Sequence, residues 1–182
     1  MPDDVTRALD GFLASVEQRG LRMAQVATGD RDAALDVVQD AMVQLVRRYA
    51  QRPAEEWRPL FFRCLQNRIR DWQRRRWVRQ RLFMEPVASA QADEADQFEG
   101  DAPDPDAAEG AAAVQREQAM KLLETALRSL PGRQREAFEL RIWEGMDVRE
   151  TALAMNCSEG SVKTHLSRAL ASLRTQLGSA WP

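Results

Sequence analysis

Apolar residues in the first half of the chain recur at the three- and four-residue spacing of an amphipathic helix. Residues 5–27 show this pattern weakly, interrupted by Gly11 and Gly20. Pro59 suits the first turn of a later helix over residues 59–72. The predicted buried stripes are Leu35, Val38, Met42, Leu45 and Tyr49 in a helix over residues 31–50, and Leu60, Phe61, Cys64, Leu65, Ile69 and Trp72 in the helix over 59–72.

The second half predicts four short helices, at about 115–129, 133–144, 147–155 and 159–177. The second of them ends at Gly145, and Ser158 suits the N-cap of the last. The last two, joined by a short turn, have the layout of a helix-turn-helix. The apolar positions expected to be buried are Leu122, Leu123, Ala126, Leu127 and Leu130 in the first helix, Ala137, Phe138, Leu140, Ile142 and Trp143 in the second, and Val162, Leu166, Ala169, Leu170, Leu173 and Leu177 in the last.

A segment poor in large apolar residues separates the two halves. Residues 85–113 are rich in Ala, Asp, Glu, Pro and Gly and contain a single aromatic residue, so they cannot bury enough apolar surface to offset their ordering entropy. No segment alternates with strand periodicity. The predicted fold is therefore all-α, with helical domains at 1–84 and 114–182 joined by a flexible acidic linker.

Charge is segregated along the chain, although the formal net charge is only −2. Residues 57–81 contain nine arginines and one acid, whereas residues 82–115 contain nine acids and no lysine or arginine. So many arginines repel one another unless an anionic group is near, which favours a nucleic-acid ligand. A solvated arginine face is the alternative interpretation. The acidic linker could also fold back on the arginines and suppress stray DNA binding.

The sequence predicts no catalytic centre, metal site or cofactor. Its two cysteines, Cys64 and Cys157, lie far apart within apolar patterns, which favours small core residues over a disulfide. The single histidine, His165, has no evident Ser or Cys partner. The catalytic groups that a small helical hydrolase requires are therefore missing from the sequence pattern. No apolar run approaches the length of a membrane span and nothing resembles a signal peptide, so we expect a cytoplasmic protein.

The last predicted helix has an outward face suited to the major groove of DNA. Small and hydrogen-bonding side chains near its N-terminal end fit that groove, while Gly160 and the free amides around it favour a phosphate. A solvated face on a small helical bundle remains the alternative. The outward or flanking residues are Ser161, Lys163, Thr164, His165, Ser167 and Arg168.

The C-terminal segment resembles the DNA-binding domain of the sigma-70 family of RNA polymerase sigma factors. The resemblance lies in "LPGRQREAF", "WEG", "CSEGSVK" and "SRAL", although "GSVKTHLSR" alone also suits a LuxR-type regulator. The resemblance implies a domain that recognises the minus-thirty-five promoter element, with Arg141 binding a phosphate of the DNA backbone. The sequence departs from the family pattern at Thr151 and "GMDV", and Thr151 could loosen the third helix. The implied recognition residues are Gly160, Ser161, Lys163, Thr164, His165, Ser167 and Arg168.

In the first half, "GDRDAALDVVQDAMVQLVRRY" resembles the helix by which sigma factors dock on the polymerase clamp. Its outward side mixes apolar and charged residues, as protein-binding surfaces do, whereas an ordinary solvated helix is the alternative. The implied polymerase-binding residues are Asp36, Gln39, Asp40, Val43, Gln44 and Arg47.

The stretch "QNRIRDWQRRRW" resembles the sigma region that melts the minus-ten element and holds the displaced strand. Single-strand binding requires cations for the backbone and surfaces for unstacked bases. Trp72 falls on the buried stripe and could be core or stacking platform, whereas Trp77 is expected to be exposed. The implied residues are Arg63, Asn67, Arg70, Asp71, Trp72, Arg74, Arg75 and Trp77.

The two-domain layout resembles the extracytoplasmic-function (group IV) sigma factors. This resemblance implies a non-catalytic subunit that binds core RNA polymerase and promoter DNA, both as duplex and as melted non-template strand. It also leads us to expect an anti-sigma factor. The competing hypothesis is a LuxR-type helix-turn-helix regulator that does not replace a sigma factor and carries a receiver or ligand domain at its N-terminus.

Overall fold

The computed structural model describes residues 2–82 and 107–178, with side chains from 4–82 and 117–178. Short turns connect helices in these residues, and neither range contains a strand, which confirms the all-α prediction. The helices are α1 (Pro2–Thr28), α2 (Arg31–Tyr49), α3 (Ala54–Leu82), α4 (Ala107–Ser129), α5 (Gly132–Phe138) with a π-helical turn (Glu139–Trp143), α6 (Val148–Met155) and α7 (Glu159–Leu177).

Helix α1 is continuous through both glycines that weaken its sequence pattern. Gly20 is buried where α1 crosses α3, and a β-carbon there would lie 3.0 Å from the ring of Phe61. A β-carbon on Gly11 would have no atom within 4 Å. Gly20 is therefore needed for close helix packing, while Gly11 is not.

We expect these two glycines to respond oppositely to substitution. Gly20→Val places branched carbons against Phe61 and should lower the free energy of unfolding by about 2 kcal/mol. Gly11→Ala introduces a residue with higher helix propensity and makes no new contact. It should raise the free energy of unfolding by about 0.5–1 kcal/mol. Urea titrations followed by circular dichroism measure both. Equal stability of the two variants would contradict the assigned packing.

The buried face of α2 differs from the predicted stripe. It consists of Ala34, Val37, Val38, Ala41 and Leu45. Leu35 is exposed, and Met42 and Tyr49 are half-buried. The prediction was wrong at Leu35, whereas Met42 and Tyr49 pack half-buried against the core. The alanines are buried because α2 packs against both α1 and α3, where small side chains allow close approach. A helical pattern in the sequence is recognised from its large apolar residues and does not reveal buried alanines.

Helix α3 is longer than the predicted segment, beginning at Ala54 and ending at Leu82. Pro59 is therefore inside the helix and not in its first turn, and it is buried. Arginine and glutamine favour helix, which accounts for the extension beyond the apolar stripe. That stripe is confirmed: Leu60, Phe61, Cys64, Leu65 and Ile69 are buried, while Trp72 packs half-buried beside them.

The last residues of the predicted linker overlap helix α4, and the linker bounds stay a prediction. Helix α4 starts at Ala107, so residues 107–113 are helical, as their alanine-rich composition favours. The remainder of the predicted linker up to residue 106, including the proposed fold-back of its acids, lies outside the described residues. Leu122, predicted to be buried in α4, is exposed, whereas Ala126, Leu127 and Leu130 are buried.

The predicted helix over 133–144 is divided into α5 and the π-helical turn. The amide of Glu144 donates to the carbonyl of Glu139 at 3.0 Å, a five-residue spacing that widens the turn. The change of register exposes Ile142, which was predicted to be buried, and buries Glu139. The chain then reverses at Gly145, whose φ of +61° is accessible to glycine.

The two halves of the protein pack against each other. Helix α3 contacts α6, and α1 contacts α4. One apolar cluster contains Phe61, Leu65 and Ile69 of the N-terminal half together with Leu140 and Met155 of the C-terminal half. The predicted domain limits at 84 and 114 remain predictions, but the helices on either side of them share a core.

Candidate nucleic-acid interface

Helices α6 and α7 form a helix-turn-helix whose ends are fixed by local hydrogen bonds. Asp147 caps α6 through a capping box with Glu150. The helix ends at Asn156 in the left-handed region, with φ of 52°. The Ser158 hydroxyl accepts from the amide of Ser161 at 3.1 Å and starts α7, as predicted. Thr151 is fully buried and donates to the Asp147 carbonyl at 2.7 Å, which ties it to the start of α6.

The outer face of α7 is open to solvent. Lys163, Thr164, Ser167 and Arg168 are exposed, and Val162, Ala169 and Leu173 are buried on the opposite side. This side of the helix therefore presents two cations and two hydroxyls, which can contact phosphates and base edges. Of the other predicted recognition residues, Gly160 is exposed, whereas Ser161 and His165 are half-buried.

Arg141, the predicted phosphate contact, has a partner within its own loop. Its side chain is half-buried and donates to the carbonyl of Met146, and its Nε has no hydrogen-bond partner among the described residues. The π-helical turn directs this guanidinium at its own loop.

The arginine-rich side of α3 bears the predicted strand-binding surface, which comprises Arg63, Asn67, Arg70, Asp71, Trp72, Arg74, Arg75 and Trp77. Arg74, Arg75 and Trp77 are exposed, and the other five are half-buried. Arg74 pairs with Asp71 at 2.8 Å, and Arg70 donates to the side-chain oxygen of Asn67 at 2.6 Å.

The two tryptophans of this surface differ in environment. Trp72 packs on the core with one side while the guanidinium of Arg76 lies 5.3 Å from its ring centroid. Trp77 is 54% exposed, and the guanidinium of Arg81 lies 4.2 Å from its ring centroid. Each ring thus already has a cation beside it. Trp77 offers the larger accessible surface for stacking a base.

Two polar cavities lie along α2 and α3. The smaller has a volume of about 280 Å³. It is lined by Asp36 and Asp40 of the predicted polymerase-binding residues and by Trp72 of the predicted strand-binding residues. The larger, about 420 Å³, brings Asn67 together with four arginines, Arg48, Arg68, Arg70 and Arg74. Arg48 and Arg68 were not among the predicted site residues, although Arg68 belongs to the arginine cluster in the sequence.

The predicted polymerase-binding face of α2 is accessible. Asp36, Gln39, Asp40, Val43 and Arg47 are exposed, and Gln44 is half-buried. Val46, which the sequence analysis did not single out, is exposed beside them and enlarges the apolar part of this face.

Part of the arginine surface contacts the C-terminal half while remaining partly exposed. Arg70 pairs with Glu136 at 3.3 Å, and Arg63 donates to the side-chain oxygen of Asn156 at 3.2 Å. The periodicity of one helix cannot reveal a second packing partner, so the sequence did not indicate these contacts.

Three buried glutamates line this contact: Glu136, Glu139 and Glu144, which are 2%, 1% and 6% exposed. Burial raises the pKa of Glu139 to about 8, because the nearby Arg135 and the hydrogen bond from Gln66 offset only part of the desolvation, and Glu136 raises it further. Burial also raises the pKa of Glu136, against the lowering effect of Arg70 and Arg133.

The described residues contain no cluster of His, Cys, Asp and Glu able to hold a metal ion. In the same ranges of the chain, no helix combines the length and apolar character needed to cross a bilayer. Cys64 and Cys157 are free thiols.

Comparisons with known proteins agree with this architecture. The model of the family "Sigma-70, region 4" matches residues 120–173. An RNA polymerase sigma-E factor of Streptomyces antibioticus is 48% identical over 56 residues, 31% of either chain. A Xanthomonas campestris pv. campestris protein described as "Probable RNA polymerase sigma factor RfaY" is 32% identical over 157 residues, 85% of this chain and 36% of the relative. The matches thus span about a third of the length of these curated relatives.

A solved structure matches nearly the whole fold. It is the sigma factor RpoE of Bartonella quintana, crystallised with the anti-sigma factor NepR; the TM-score is 0.59 at 21% identity, covering 97% of this chain and 95% of that one. In the described ranges the protein folds into helices that end in a helix-turn-helix. Its C-terminal half matches region 4 of the sigma-70 family, and the chain is similar to a probable sigma factor over most of its length.

Proposed function

We propose that this protein is a sigma subunit that binds core RNA polymerase in the cytoplasm and directs initiation at specific promoters. The observation that carries the proposal is the solvent-exposed cationic face of α7 on a capped helix-turn-helix, within the segment that matches sigma-70 region 4. Helix α7 would enter the major groove of the minus-thirty-five duplex. Lys163 and Arg168 would contact phosphates or guanine edges there.

The N-terminal half would supply the other two binding functions. The exposed face of α2 docks on polymerase through Asp36, Asp40 and Val43. The strand-binding surface of α3 takes the melted minus-ten strand, with arginines on the backbone and Trp77 as a stacking platform. Asn67 reads a base edge. Two modest surfaces on one chain reinforce each other when the promoter spacing lets both bind.

The Bartonella sigma factor is bound by an anti-sigma factor, and we propose that a protein of that kind also controls this chain. The LuxR-type alternative requires a receiver or ligand domain before the helix-turn-helix. Residues 2–82 instead form three helices and no strand, so no observation favours that alternative.

Transcription with purified core polymerase tests the proposal. Core alone and core with this chain are compared on duplex promoter fragments and on templates with a preformed bubble. We expect specific transcripts from both templates when the chain is present. Failure to bind core, together with failure to start specific transcripts, would reject the proposed function.

The polymerase-binding face has its own prediction. Asp36→Arg with Asp40→Arg reverses two exposed charges of α2 and should weaken binding to core at least about tenfold, measured by fluorescence anisotropy of labelled protein. Asp10→Arg with Glu17→Arg makes the same charge change on exposed positions of α1 and serves as the control. An equal loss in both double variants would argue against this face as the docking site.

A further inference from the structure

We infer that the larger cavity between α2 and α3 is a phosphate site, and that Arg48 of α2 is one of its contacts. The melted strand then crosses from α3 onto the last turn of α2, the helix whose other residues serve polymerase docking. The inference deepens the proposed function and rests on it in one respect, namely that the arginine-rich side of α3 binds single-stranded DNA.

The cavity brings cationic side chains of two helices together. It has a volume of about 420 Å³, and Arg48 is the cation that α2 contributes to its wall. Arg48 lies in the last turn of α2 and is exposed, so its side chain is accessible from solvent. The remaining lining residues are Gln44, Asn67, Arg68, Arg70, Asp71 and Arg74.

The positive charge of the cavity is not balanced by acids. Asp71 is the one carboxylate that the described residues contribute to its wall, and it is already paired with Arg74 at 2.8 Å. Neither Arg48 nor Arg68 forms an ion pair with a carboxylate of the described residues. The Nε atom of Arg68 is buried and has no hydrogen-bond partner in the same residues. Guanidinium groups in this state repel one another, and a phosphate among them removes the repulsion and accepts several charge-assisted hydrogen bonds.

The cavity is also continuous with the strand-binding surface of α3. Arg68 and Asp71 line both the larger cavity and the smaller one, in whose wall Trp72 lies. The phosphate site is therefore adjacent to an aromatic ring of the strand-binding surface. A cationic groove for the backbone beside aromatic rings for the bases is the arrangement by which proteins bind single strands.

Arg48 has one other electrostatic role open to it. A cation in the last turn of a helix is stabilised by the free carbonyl groups at that end, and Arg47 shares this position. That role contributes to folding and not to DNA binding. The salt dependence of binding separates the two roles, because each phosphate contact to a single strand contributes about 0.7 to the slope of log K against log salt concentration.

The test compares Arg48→Ala with Arg31→Ala, which removes the same charge from an exposed position at the other end of α2. Arg48→Ala should bind a fluorescently labelled single-stranded oligodeoxynucleotide about fivefold more weakly at low salt, and the slope should fall by about 0.7. Arg31→Ala should retain the slope and lose no more than about twofold in affinity. Arg48→Lys keeps the cation and should also retain the slope. Circular dichroism checks that all three variants remain helical.

Equal slopes for Arg48→Ala and the unmodified chain would overturn the inference, and so would an equal loss in Arg31→Ala. Inorganic phosphate is titrated against the bound oligonucleotide at constant ionic strength, and we expect no displacement beyond that caused by chloride. Displacement by millimolar phosphate would make a free phosphate the occupant and reject the strand path.

Binding to core polymerase is measured in parallel, because α2 also carries the proposed docking face. Arg48→Ala should bind core as well as the unmodified chain does, and a loss of core binding equal to the loss of oligonucleotide binding would reject a separate role for Arg48. An unmodified chain that fails to bind core rejects the proposed function, whereas the slope with the oligonucleotide still decides whether the cavity holds a phosphate.

Discussion

Replacing Lys163 and Arg168 with glutamate should reduce transcription from a duplex promoter by about 100-fold. Both side chains are exposed on the outer face of α7 and take no part in the packing of the helix-turn-helix. A good contact to a base or phosphate contributes about 1–3 kcal/mol, and about 1.4 kcal/mol corresponds to a tenfold change in binding. Reversal of both charges also repels the duplex.

The template distinguishes this effect from a general loss of activity. On a template with a preformed minus-ten bubble and no minus-thirty-five element, the variant should initiate as well as the unmodified protein. Lys121→Glu with Arg128→Glu makes the same charge change on exposed positions of α4 and should leave both templates unaffected. A similar loss on both templates would show that the outer face of α7 does not read duplex DNA.

The helix-turn-helix could be predicted closely because its signals are local. Ser158 provides a hydroxyl at the start of α7, and the apolar positions of that helix repeat without interruption, so its predicted limits, 159–177, are the observed ones. The exposure of Lys163 and Arg168 follows from the same periodicity. Local chemistry and tertiary packing agree in this part of the chain.

Other features could not be predicted because they depend on what each helix packs against. Ala34 and Ala41 are buried in α2 since two neighbouring helices approach them closely, and a pattern of large apolar residues does not reveal this. The π-helical turn follows from hydrogen bonds around Glu139 that no local signal specifies. The pairing of Arg70 with Glu136 joins residues far apart in sequence. The arginine cluster suggested an anionic ligand, but nothing in the sequence indicated carboxylates of the same chain.

Glu139→Gln should stabilise the protein at alkaline pH and leave it unchanged in acid. The pKa of Glu139 is raised from 4.5 to about 8 by burial. Between these values the folded chain retains a proton that the unfolded chain has released, so the free energy of unfolding falls as pH rises. The slope is about 1.4 kcal/mol per pH unit, and the loss attributable to Glu139 reaches on the order of 3–5 kcal/mol above pH 8. Glutamine resembles the protonated acid in shape and has no proton to lose.

Urea titrations over a series of pH values measure this difference. The two proteins should be equally stable below about pH 4.5, with the advantage of the glutamine variant growing up to about pH 8 and then levelling off. Glu117→Gln, at an exposed position paired with Lys121, is the matched control and should follow the unmodified protein closely. Parallel curves for Glu139→Gln and the unmodified chain would contradict a neutral buried acid at this position.

Gln66 of α3 faces Glu139 from across the contact between the two halves, and Arg135 and Glu136 face it from its own half. Ionisation of Glu139 therefore loosens the surfaces that pack against Arg70. Alkaline pH should therefore also increase the radius of gyration of the unmodified chain, and this increase should be smaller in Glu139→Gln.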